Sequence, residues 1–145
     1  MRIVIVNGPN LNLLGRRNIQ IYGSEDFGAF LERLRAEFAD IPIAYFQSNH
    51  EGAIIDTLHE VGFSASGIVL NAGAYAHTSI AIRDAIEAIT SPVVEVHISD
   101  IYNREEFRRQ SMLKDVCHMQ ITGHGLDGYR EAIQFLIGDA SAKVI

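Results

Sequence analysis

Ile3-Val4-Ile5-Val6-Asn7-Gly8-Pro9-Asn10 begins as an unbroken β-branched apolar run and ends abruptly in polar, turn-forming residues. Such a run without polar alternation describes a short strand covered on both faces, as in the middle of a parallel sheet. The pattern recurs twice. Gly67-Ile68-Val69-Leu70 runs into Asn71-Ala72-Gly73, and Val93-Val94-Glu95-Val96 runs into His97-Ile98-Ser99. As parallel strands, the three would end side by side at one edge of a sheet, which is where open α/β sheets bind their ligands. The polar chemistry of the chain is thereby gathered in one place.

Between these runs the apolar spacing changes to that of helices. Phe27, Phe30, Leu31, Leu34 and Phe38 mark one helical face, with cap candidates at Ser24, Glu25 and Asp26. A second strand over 42–46 follows. Ser48 and Glu51 then have the spacing of a capping box for a helix with Ile54, Leu58 and Val61 on its stripe. Thr78 or Ser79 opens the next helix, a charged short helix is expected over 103–110 with Phe107 packed inward, an edge strand over 116–122, and a last helix bearing Tyr129, Ile133, Leu136 and Ile137. This alternation predicts an α/β fold. It is a flavodoxin-like three-layer sandwich around a five-stranded parallel sheet of order 2-1-3-4-5, with right-handed crossovers. That order sets strands 1, 3 and 4 next to one another. The longest connection, residues 8–23, has the length of a lid or binding loop.

At 145 residues the chain is expected to form a single domain, 1–145, with 48% hydrophobic and 21% charged residues. A net charge of -6 argues against a nucleic-acid partner. No apolar stretch approaches the ~20 residues of a membrane span. A single cysteine, Cys117, fits a reducing, cytoplasmic setting and reads as a small core residue rather than a nucleophile.

The motifs differ in weight. Gly123-His124-Gly125-Leu126-Asp127-Gly128 matches a dinucleotide fingerprint, but only 17 residues follow it. A further strand with its acidic residue about 20 positions on has no room, so these glycines are read as a tight turn and a close helix contact. The six histidines lack metal-ligand spacing, so no metal and no cofactor is expected. Glu95 and His97 share one face of their strand, and a carboxylate beside an imidazole makes it a proton donor near neutral pH. A core histidine satisfied by Glu95 is the alternative. Tyr22 lies in the long loop with Arg16 and Arg17. A tyrosine is a poor base near neutral pH unless a guanidinium stabilises its phenolate; otherwise Tyr22 merely anchors the loop. Arg104 and Arg108, four apart, would face an anionic or hydroxylated substrate from one side of a helix.

Taken together, these segments resemble the type II 3-dehydroquinate dehydratases. The matching stretches are Asn7-Gly8-Pro9-Asn10-Leu11, Leu14-Gly15-Arg16-Arg17, Tyr22-Gly23, Gln47-Ser48-Asn49 with Glu51-Gly52, Asn71-Ala72-Gly73-Ala74-Tyr75 with His77-Thr78-Ser79, Arg83-Asp84-Ala85, Glu95-Val96-His97-Ile98-Ser99, and Arg104-Glu105 with Phe107-Arg108. The resemblance implies loss of water from 3-dehydroquinate without metal. In it Tyr22 is the base, Arg17 keeps Tyr22 ionised, and Asn10 holds a water against the enolate. His97, oriented by Glu95, is the acid. Asn71 and the backbone N–H groups of Ile98 and Ser99 would bind the substrate carboxylate, and His77 and Arg108 its ring hydroxyls. Asp84 would reach the site of a neighbouring subunit in a homo-oligomer, a dodecamer of four trimers. One departure stands out. Asn18-Ile19 follow Arg17 where the family commonly has Glu-Pro, and a looser or differently closed lid is expected.

Overall fold

A computed structural model describes the backbone of residues 1–144 and the side chains of residues 1–138. Five strands, β1 (Ile3–Asn7), β2 (Ile43–Gln47), β3 (Gly67–Asn71), β4 (Val93–His97) and β5 (Met119–Thr122), form one sheet in the order β2-β1-β3-β4-β5. Every pairing is parallel. The helices are α1 (Ile19–Tyr22), α2 (Phe27–Glu37), α3 (Glu51–Val61), α4 (Ile80–Ala88) and α5 (Asp127–Val144). The expected order and flavodoxin-like class are those observed.

Period-two alternation sends each central strand's side chains both ways. Ile3, Ile5, Val69, Val94 and Val96 pack with Phe27, Phe30 and Leu34 of α2 and Tyr129, Ile133 and Leu136 of α5. Val4, Val6, Ile68 and Leu70 pack with Ile54 and Leu58 of α3 and Ile82 and Ile86 of α4 on the other face. Full burial of each Leu or Ile contributes roughly 1.5–3 kcal/mol, so both layers hold the sheet. Among the described residues, no helix is long and apolar enough to cross a membrane.

Local chemistry sets the helix starts. Asp26 Oδ1 accepts from Ala29 N–H at 2.8 Å, and Ser79 Oγ from Ile82 N–H at 2.9 Å. The capping box expected for α3 does not form. Ser48 N–H continues the strand ladder to the Asn7 carbonyl, and Ser48 Oγ instead accepts from His50 N–H at 3.0 Å, so the helix begins after His50. The helix expected over 103–110 is instead two single 3₁₀ turns, Ile101–Asn103 and Glu106–Arg108, separated by an extended Arg104. Asp100 closes the first by accepting from Tyr102 N–H and from the Asn103 amide. Phe107 then points outward, 68% exposed, beneath the Arg108 guanidinium rather than into the core.

The last strand is shorter than the expected 116–122, because residues Lys114–Val116 make a 3₁₀ turn first. Cys117 is half-buried against the α3/α4 core, and burial pushes its thiol pKa far above the ordinary range. The glycines after β5 make the turn and contact expected of them. Gly123 and Gly125 adopt positive φ, and a Cβ on Gly128 would lie 3.2 Å from Val96 Cγ1, so α5 starts directly against β4.

Candidate active site

Strand register brings the three polar clusters to one level. Asn7 pairs across to Gln47 on one side and Asn71 on the other, and Leu70 lies opposite Glu95. A cleft of about 100 Å³ opens above these ends. Asn10, Arg17, Tyr22, Asn71, His77, His97, Ile98, Ser99 and Arg108 all line it, and so does Arg104. Glu95 lies beneath it, wholly buried. Asp84 does not reach it; this carboxylate is exposed on α4.

The connection over residues 8–23 supplies one side of the cleft. Leu11 and Leu14 sink into the core and anchor it. Asn10 takes a left-handed conformation, φ 69°, which asparagine tolerates better than most residues. It is held there by its N–H, which donates to Asn49 Oδ1 at 3.0 Å. Asn49 is itself gripped by the Gln47 amide, and its carbonyl accepts from Tyr75 Oη at 2.8 Å. Asn18 caps the one-turn helix α1 by accepting from Gln20 N–H.

That turn delivers Tyr22 between two guanidinium groups. Arg17 Nη2 and Arg104 Nη1 each donate to Tyr22 Oη at 2.9 Å. The Arg17 guanidinium also lies 3.8 Å over the phenol ring. Arginine only donates, so Tyr22 Oη faces two positive donors. Arg104 and Arg108 both line the cleft, as expected, but not from one side of a helix. The break between the two 3₁₀ turns sets Arg104 against Tyr22 and against Ser99 Oγ at 3.3 Å.

His97, 5% exposed, places Nε2 at 2.5 Å from Glu95 Oε2, which leaves Nδ1 as its other polar atom. His77 stacks against it with ring centroids 5.9 Å apart. Its Nδ1 bonds the Gln110 carbonyl at 2.8 Å, so Nδ1 carries the hydrogen and Nε2 is the acceptor. Burial lowers the His77 pKa below the ordinary histidine value, with the nearby His97 and Arg108 acting in the same sense. The shift favours the neutral ring.

A buried chain of hydrogen bonds, which the apolar spacing of the last helix did not announce, fixes Asn71. The Gly73 N–H can only donate, so Asn71 Oδ1 faces it at 3.1 Å. Asn71 Nδ2 then donates to Tyr129 Oη at 2.9 Å, and Tyr129 passes its own hydrogen to Asn7 Oδ1 at 2.8 Å. Tyr129 is wholly buried, and burial raises its pKa beyond reach, so its hydroxyl stays a donor. Replacing Tyr129 by phenylalanine leaves Asn7 and Asn71 each short of a partner. A loss of about 1–3 kcal/mol is expected in denaturant unfolding, and a variant as stable as the parent would show the chain to be dispensable.

Among the described residues, no three His, Cys, Asp or Glu side chains are grouped to hold a metal ion. A larger open depression of about 580 Å³ lies on the other side of Tyr22 and Arg104, towards Glu25, Arg33, Asp100 and His124. It shares Tyr22, Ile98, Ser99 and Arg104 with the cleft but not Asn10, Asn71, His77 or His97.

A parallel sheet of this order, with a tyrosine between arginines and an imidazole on a buried carboxylate at its strand ends, defines a flavodoxin-like fold with one polar cleft at the carboxyl edge of its sheet. Residues 1–137 match the family Dehydroquinase class II. A protein of an Exiguobacterium species named 3-dehydroquinate dehydratase is 54% identical over 138 residues, covering 94% of each chain. One of the same name from Bacillus pumilus is 48% identical over 146 residues, covering 96% of each. The crystal structure of type II dehydroquinase from Butyrivibrio crossotus superposes with a TM-score of 0.91 at 46% identity, over 94% of this chain and 97% of that one. The chain belongs to the class II dehydroquinase family and is an enzyme of the hydro-lyase type.

Proposed function

We propose that this enzyme removes water from 3-dehydroquinate to give 3-dehydroshikimate, with Tyr22 as base and His97 as acid. The observation that carries the reading is Tyr22 Oη held by two guanidinium groups in the same cleft as an imidazole bonded to a buried carboxylate. Loss of water beside a ketone needs a base for the proton on the adjacent carbon, stabilisation of the enolate oxygen, and an acid for the departing hydroxyl. Two arginine donors suit a phenolate oxygen. A carboxylate beside His97 suits an imidazolium. Each arrangement suits the role its group is given, base for Tyr22 and acid for His97.

The step balances. Tyr22 Oη takes the proton, and the C–H electrons form the enolate. As the enolate collapses, the carbon–oxygen bond breaks and the leaving hydroxyl takes a proton from His97 Nδ1. Tyr22 then loses that proton to solvent and His97 regains one from solvent, so both begin the next turnover as before. Asn10 holds a water on the enolate oxygen, its strained backbone kept in place by Asn49. Asn71, with the backbone N–H groups of Ile98 and Ser99, binds the carboxylate. Neutral His77 accepts from a ring hydroxyl at Nε2, and Arg108 donates to another.

In this reading the 1–145 domain works in the cytoplasm as a homo-oligomer, a dodecamer of four trimers. The exposed Asp84 then completes a neighbour's site. One experiment tests both levels. Ultraviolet absorbance of the conjugated enone is followed with 3-dehydroquinate, with and without EDTA, on protein whose sedimentation is measured in parallel. Turnover that survives the chelator in a large assembly is expected. Unchanged 3-dehydroquinate with folded protein would refute the reaction, and a fully active monomer would remove Asp84 from the site.

A further inference from the structure

The carboxylate behind the imidazole is held by more than the imidazole. Glu95 is wholly buried, and three side chains converge on it. His97 Nε2 lies 2.5 Å from Oε2. Ser111 Oγ, from the loop before β5, donates to the same Oε2 at 2.6 Å. Gln120 Nε2, directly across the β4–β5 pair from Glu95, donates to Oε1 at 3.2 Å. The direction of each bond is dictated from behind. Leu113 N–H donates to Ser111 Oγ at 3.1 Å, so the Ser111 hydrogen is free to point at Glu95. Tyr102 Oη donates to Gln120 Oε1 at 2.6 Å, so the Gln120 amide presents nitrogen, not oxygen, to the carboxylate. Neither Ser111 nor Gln120 lines the cleft.

We propose that Ser111 and Gln120 are positioning residues for the acid: they hold Glu95 in one orientation, share its negative charge, and so set the pH range over which His97 keeps its proton. The inference rests on the roles proposed above for Glu95 and His97. A carboxylate that already accepts two hydrogen bonds attracts an imidazolium proton less strongly than one that accepts none. Removing either donor makes Glu95 a stronger partner and His97 a weaker acid.

The other groups around the pair do not blur the effect. Cys117, whose thiol is pushed upward chiefly by burial and also by Glu95, stays neutral across the accessible range. His77, lowered chiefly by burial, has already lost its charge at the pH where the limb is read, and the Arg108 guanidinium near it keeps its own.

The test compares Ser111→Ala, Gln120→Leu and Ser111→Thr in the assembled protein. Two readouts are taken: the high-pH limb of kcat/KM for 3-dehydroquinate, and the His97 titration by NMR of histidine-labelled protein. Ser111→Ala is expected to move both upward by about one pH unit, the scale of a hydrogen bond to a charged group. Gln120→Leu moves them the same way by less, its contact being longer. Ser111→Thr, which keeps the hydroxyl, restores the parent value. Unmoved midpoints in folded variants, or a downward shift, overturn the inference. Should loss of the Leu113 N–H acceptor prevent Ser111→Ala from folding, Gln120→Leu decides alone. If the parent enzyme leaves 3-dehydroquinate unchanged, the reaction assignment fails, while the NMR titration still decides the roles of Ser111 and Gln120.

Discussion

A Tyr22→Phe enzyme is expected to lose about 10⁴-fold in kcat while keeping its fold and assembly, the upper range for removal of a general base. The substitution removes one atom, and that atom touches only Arg17 and Arg104. The ring stays and keeps its packing against the α2/α5 core. Arg104 retains Ser99 Oγ as a partner, so no buried group is orphaned, and stability is expected to change by less than about 1 kcal/mol. The groups assigned to the carboxylate and ring hydroxyls are untouched. KM is therefore expected to stay within a few-fold, the signature of an interaction used in the transition state alone. Enone absorbance gives kcat, and a thermal melt with sedimentation reports the fold. Near-normal turnover in this variant would sink the base assignment and leave Tyr22 as a loop anchor.

The second large effect comes from a residue with no side chain. A Cβ on Gly8 would lie 2.5 Å from the Ala72 carbonyl oxygen and 2.7 Å from its carbon, both backbone atoms. Gly8 cannot shift to relieve this. Its N–H donates to the Asn71 carbonyl at 2.7 Å, and its own carbonyl accepts from the Gln47 amide at 3.2 Å. Gly8→Ala is expected to cost about 3 kcal/mol and to lower Tm by roughly 10 °C. Any relief must part the β1 and β3 ends, which displaces Asn10 and Asn71 together. KM for 3-dehydroquinate should therefore rise even well below Tm. A melting curve within about 2 °C of the parent would show that the two loops do not approach as closely as this.

Much of the site was legible before the fold was known, for a local reason. Glu95 and His97 are two apart on a strand, so the period of the strand alone puts them together. Tyr22 and Arg17 are five positions apart in the same loop. The clusters at Asn7, Asn71 and His97 follow from strand ends, and parallel order aligns strand ends. Where local reading failed, a distant partner had claimed the residue. Ser48 was taken by the strand ladder and lost to the helix cap. Arg104 was drawn to Tyr22 by a break that its own charged segment did not announce, and with the helix broken Phe107 turned outward.

From residues alone came the α/β class, the order of the sheet, the edge that carries the chemistry, and, through its resemblance, the family. The first three depend on periodicity, turn residues and spacing, which are properties of neighbours along the chain; the family rests on the likeness of its motifs. Only the tertiary structure disclosed the second arginine on Tyr22, the Tyr129 chain behind Asn71, and the Ser111 and Gln120 donors behind Glu95. Each of those bonds joins residues 16 to 122 positions apart. A hydrogen bond across that separation depends on where two backbones come to rest and which direction their donors face, and no local pattern encodes either.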